Sequence, residues 1–179
     1  MLETLVTSKT RIKLLLKFFL NSNTTSWLRD LENEFGDSTN AIRLELNRFE
    51  KAGMLKSFSR GNKKIYHANT SHPLFTDIHN LIMKYVGIDR LVDKVISKIG
   101  ELHSAYLTGD FARGKDSPVL DLLLVGENVD KVYLLKLVEK GEEIISRKIR
   151  YVILHPSEIN DYLKEVNNAL LLWQRDSKI

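Results

Sequence analysis

The stretch Gly109-Asp110-Phe111-Ala112-Arg113-Gly114, with Val119-Leu120-Asp121-Leu122-Leu123-Leu124-Val125 following Pro118, decides how the second half of this chain folds. Two glycines suit a tight turn, because glycine enters left-handed backbone conformations without steric penalty. The run after Pro118 is apolar except for Asp121 and reads as a strand over residues 120–125.

The flanking pattern runs α-β-β-α-β-α. A helix from Ile88 turns Leu91, Val95, Ile96 and Ile99 inward, and a strand covers His103–Thr108. Asp130 caps a long helix through Leu134, Leu137, Val138 and Ile145. Residues 149–154 form a third strand, and Pro156-Ser157-Glu158 opens a last helix through Leu163, Val166, Leu170 and Trp173. The expectation is a small mixed sheet backed by helices.

The first seventy residues read differently. Ser8 caps a helix with Ile12, Leu15, Leu16, Phe19 and Leu20 at helical spacing. After the break at residues 21–25, a short helix carries Trp27, Leu28, Leu31 and Phe35 and stops at Gly36. Asp37 or Ser38 caps a third helix with Ile42, Leu46 and Phe49 inward, ended by Gly53. Two alternating arms, residues 54–59 and 63–68, flank Arg60-Gly61-Asn62 and predict a β-hairpin. A connector helix follows His72-Pro73 through Leu74, Ile78, Leu81, Ile82 and Tyr85 to Gly87. His72 and His79 read as surface or seam residues of that helix rather than a metal pair.

Charge separates the halves. Residues 1–70 carry 12 Lys+Arg against 7 Asp+Glu, whereas residues 71–179 carry 15 against 16. The basic excess thus lies at the front and favours a polyanion there. The chain has no cysteine, which excludes disulfides and thiol chemistry. No apolar run approaches the roughly 20 residues that span a bilayer. The expected location is cytoplasmic, with no membrane association.

Three helices and a basic hairpin follow the order of a winged helix-turn-helix. Residues 38–55, with Asn47-Arg48-Phe49-Glu50-Lys51-Ala52-Gly53-Met54-Leu55 at the junction, resemble the recognition helix and wing entry of winged-helix transcriptional regulators. Opposite the apolar stripe stand Thr39, Asn40, Arg43 and Asn47, suited to base edges in a major groove. Lys56, Arg60, Lys63 and Lys64 can neutralise phosphates, and Asn62 or Arg60 can enter a minor groove. The competing reading is a solvated helix face and a charged hairpin that keeps a sheet edge soluble.

Gly109, Asp110, Arg113, Gly114 and Asp121 resemble the signature of the minimal nucleotidyltransferases, Gly-Ser-x-Ala-x-Gly followed by Asp-x-Asp. That resemblance implies two metal ions held by about three carboxylates, with the Gly-Ser turn on nucleotide phosphates. Here Asp110 replaces the serine and Leu123 the second aspartate, and residues 149–154 offer Arg150 instead of an acid. The resemblance therefore implies an inactive module, no enzyme, with no metal and no cofactor. Asp110, Arg113, Lys115, Asp116 and Asp121 could instead form a small-ligand or effector pocket, or meet another protein.

The combined expectation is an α+β chain in three parts: a winged helix-turn-helix (1–70), a linker or dimerisation helix (71–87) and a nucleotidyltransferase-like α/β domain (88–179). It is a homodimeric regulator whose partner is double-stranded DNA, because two symmetric half-sites multiply phosphate contacts. The alternatives are an active or atypical nucleotidyltransferase modifying a nucleic acid or protein, and a toxin–antitoxin-type interaction protein.

Overall fold

Capping chemistry sets the helices of the first unit. In the computed structural model, which describes residues 4, 6–94, 96–166 and 168–175, the Ser8 hydroxyl accepts from the Arg11 amide and starts α1, Lys9–Leu15. A π-helical turn, Leu16–Leu20, continues it. Leu14 to Leu20 are all buried, so this helix is enclosed all round and includes Lys17, whose ammonium lies 2.7 Å from Glu34. A strand absent from the sequence reading, β1 (Thr25–Trp27), leads into α2 (Leu28–Phe35), which Gly36 closes in a left-handed conformation. Ser38 then caps α3 (Thr39–Lys51), with Ile42, Leu46 and Phe49 buried as the spacing predicts.

The hairpin β2 (Leu55–Arg60) and β3 (Lys63–Ala68) joins β1 in a three-stranded antiparallel sheet, order β1-β3-β2. The first unit spans Met1–Tyr85 and also takes in Arg113–Asp116. Its connector is α4 (Phe75–Val86). His79 is half-buried, its Nδ1 donating to the Phe19 carbonyl at 2.7 Å and its ring stacked on Phe75.

Glu45 on α3 is a second buried charged residue of this unit, only 5% exposed. It accepts from Arg11 at 2.8 Å and 3.1 Å and from Arg48 at 2.8 Å. Burial alone would push its carboxyl up, but Arg11 and then Arg48 hold it below the usual carboxylate range. A lowered folded value contributes stability above the unfolded value, about pH 4.3, and that contribution is lost as pH falls through the folded value. Glu45→Gln is expected to cost roughly 2 kcal/mol at neutral pH and to flatten the acid limb of stability followed by denaturant melts between pH 3 and pH 7. An unchanged limb would show that the triad does not contribute.

The second unit holds Val86–Ala112 and Ser117–Ile179. It contains α5 (Ile88–Lys94), a 3-10 turn (Ile96–Lys98), β4 (Leu102–Thr108), α6 (Gly109–Ala112), β5 (Val119–Gly126), α7 (Lys131–Ile145), β6 (Lys148–Leu154), α8 (Ile159–Glu165) and β7 (Leu170–Gln174). Val95 lies outside the described residues. Asp130 caps α7 by accepting from two amides. The sheet order is β6-β5-β4-β7, with β5 parallel to β6 and the other pairings antiparallel. Central β5 is covered on both sides, which is why Leu122 to Val125 are all buried.

The last element differs from the sequence expectation. α8 ends at Glu165, and Leu170-Leu171-Leu172-Trp173 enter the sheet as β7 beside β4. Four consecutive bulky residues fit a half-covered edge strand as well as a helix face, and the unpaired edge of β4 decides between them. The chain is thus mixed α+β with two small sheets. No helix among the described residues is long and apolar enough to cross a membrane.

Candidate functional site

In the first unit, α3 and the hairpin enclose an open groove of about 710 Å³. Arg43 and Asn47 line it from α3, and Asn62, Lys63 and Lys64 line it from the wing. The other sequence-predicted residues stand elsewhere. Asn40 is exposed one turn before Arg43, whose guanidinium reaches its Oδ1 at 3.4 Å. Thr39 donates to Glu32 at 2.6 Å, so its hydroxyl hydrogen is already engaged. Lys56 and Arg60 do not line the groove. Alternation along β2 sends them to the face opposite Ser57 and Ser59.

Sequence reasoning missed Trp27 and Arg29, which complete the groove wall. Trp27 reads as core by its spacing, yet it is half-buried with the Lys63 ammonium 3.9 Å from its ring centre. The available signal was the pairing of a large ring with an arginine at the start of a helix. Lys64 is tied down, its ammonium 2.7 Å from Glu50 and 5.1 Å from the Tyr66 ring centre. Lys64 and the Ser57 hydroxyl hold the Glu50 carboxyl below its usual range. Glu50 lies on α3 and Lys64 on β3, so the pair fastens wing to helix.

The second unit carries the glycine-turn residues. β4 ends at Thr108, directly opposite Asp121 on β5, and the chain turns at Gly109 into α6. Gly109 has φ +66°, and a Cβ there would strike the Asp121 carboxylate. Gly109→Ala is expected to destabilise this unit by about 1–3 kcal/mol in denaturant melts. A neutral result would mean the turn can move away from Asp121. Gly114 serves another purpose: a Cβ would lie 2.5 Å from the Lys17 backbone of the first unit, to which residues 113–116 belong. Lys115 and Asp116 line a cavity of about 110 Å³ there with Lys13 and Glu34.

Asp121 pairs with Arg150, its register partner on β6. Hydrogen bonding and charge from Asp121 raise the Arg150 guanidinium above its ordinary value, and Asp110 adds a further pull. The metal pair that the glycine-turn motif implies does not fit these residues. Leu123 is buried without a ligand atom, Arg150 occupies the Asp121 carboxylate, and the described residues hold no group of three or more His, Cys, Asp or Glu placed for a metal.

No protein-family model matches the chain, and no curated protein does. Several solved structures are similar to it. One is reduced HlyU from Vibrio cholerae, at 16% identity over 46% of this chain and 82% of that one, with a TM-score of 0.37. Another, from Sulfolobus solfataricus, is provisionally named a nucleotidyltransferase, at 20% identity over 53% and 85%, TM-score 0.36. A third is a tri-AMPylated HEPN toxin with its MNT antitoxin from Shewanella oneidensis, at 17% identity over 52% and 74%, TM-score 0.39. The expectation that this chain is no enzyme is corrected by these findings. Two of these similar proteins are named a nucleotidyltransferase and an AMPylated toxin.

Proposed function

We propose that residues 1–70 are a winged helix-turn-helix binding double-stranded DNA, within a homodimeric transcriptional regulator joined through residues 71–87. The observation that carries this reading is the groove that gathers Arg43, Asn47, Asn62 and Lys63 between a capped, exposed helix face and a basic wing. An arginine and an asparagine on a helix can each make paired hydrogen bonds to guanine or adenine edges. Lys63 and Arg29 at the rim suit phosphates, while Lys64 keeps the wing in register with α3. The test is selection of bound duplexes from a random pool by the full chain. An enriched common sequence supports the reading, and recovery of an unenriched pool contradicts it.

A second reading concerns residues 88–179: an atypical nucleotidyltransferase, or a toxin–antitoxin-type partner. It is favoured by the placement of the Gly109 turn directly against Asp121, with Asp110 in the first turn of α6. Calorimetric titration with ATP, with and without magnesium, tests it. Saturable binding that Asp121→Ala removes supports a nucleotide site, and no heat in either condition contradicts one.

A further inference from the structure

The wing sheet has a second face. The register Trp27↔Ile65↔Phe58 sets these residues in one row across all three strands. Their neighbour Tyr66 is buried, so the row lies on the opposite side, away from the core. Phe58 remains 48% exposed there, its ring centre 6.0 Å from that of His67. Lys56, Arg60 and Lys63 alternate onto the same face and are all exposed. Nothing acidic dilutes this charge: residues 51–70 contain five Lys+Arg and no Asp or Glu.

An exposed ring flanked by cations matches unpaired bases joined by phosphates. Duplex DNA suits this face poorly, because its bases are already stacked and the face presents rings rather than hydrogen-bonding groups. Strands lie about 4.8 Å apart, which places the two outer residues of the row roughly 10 Å apart with Ile65 as the floor between them. We propose that this face binds single-stranded nucleic acid, with a base stacking on Phe58 within reach of Trp27, and phosphates drawn to Lys56, Arg60 and the Lys63 ammonium that lies over the Trp27 ring. The duplex groove shares only Trp27 and Lys63 with it, at the common edge. Phe58 belongs to this face alone and separates the two activities.

The experiment uses the full chain with Trp173→Phe, leaving Trp27 as its one tryptophan. Oligo(dT) and oligo(U) of about 12 nucleotides are titrated against Trp27 fluorescence, with affinities taken from anisotropy of labelled strands. A saturable quench is expected. Phe58→Ala should weaken strand binding about tenfold and Phe58→Trp should retain it, while affinity for duplex moves less than about twofold. Preference for oligo(U) or oligo(dT) identifies RNA or DNA as the source, and either supports the assignment. Absence of a quench with both strands overturns it. So does an unchanged affinity in Phe58→Ala, or an equal loss for strand and duplex. Strand binding without any duplex binding would sink the duplex reading alone.

Discussion

Arg43→Ala is expected to flatten sequence preference while leaving the fold intact. Arg43 is exposed on α3, between Asn40 one turn before and Asn47 one turn after, so its loss opens no cavity. Exposed substitutions of this kind usually shift stability by less than about 0.5 kcal/mol. A guanidinium in the major groove donates two parallel hydrogen bonds to one guanine, which methyl cannot replace. Discrimination at that base pair should fall by about 1–3 kcal/mol, roughly 5- to 150-fold. The measurement is competition between the selected duplex and one altered at a single guanine. An unchanged ratio would remove Arg43 from base reading and leave it as a phosphate contact.

The largest stability effect is expected from Phe111→Ala. Phe111 is 1% exposed on α6, and the Arg147 guanidinium lies 5.0 Å from its ring centre. Arg147 also donates to the Ser117 carbonyl, so ring and guanidinium fasten both ends of the loop between α6 and β5. Truncation should cost about 3–5 kcal/mol and loosen the turn that carries Asp110. Hydrogen exchange should show faster amides in β4, β5 and α6, with protection in α1 to α3 retained. Phe111→Leu should recover much of the loss. Uniform loss across both units would contradict this local account.

Local chemistry was legible in the sequence. Ser8, Ser38 and Asp130 cap the helices they were expected to cap, and the hairpin turns at Gly61. Elements decided by distant partners were not. Thr25-Ser26-Trp27 is too short for any periodicity, and becomes a strand only because β3 pairs with it. Residues 170–174 become β7 because β4 has a free edge some seventy positions earlier. The same holds for the candidate sites. Glu45 finds Arg11 across 34 positions, and Asp121 finds Arg150 across 29. Lys64 has the composition of a phosphate contact, yet its partner Glu50 fastens it to α3. Lys56 and Arg60 separated from the rest because strand alternation, not charge, fixes which way they face.

Salt dependence of duplex affinity tests the central claim most directly. Each phosphate neutralised contributes about −0.9 to the slope of log affinity against log salt concentration. Arg29 and Lys63 at the groove rim give an expected slope near −2 per chain, and Lys63→Ala should make it shallower by about one. A slope close to zero, or no association even at low salt, would contradict a front unit built to hold a duplex.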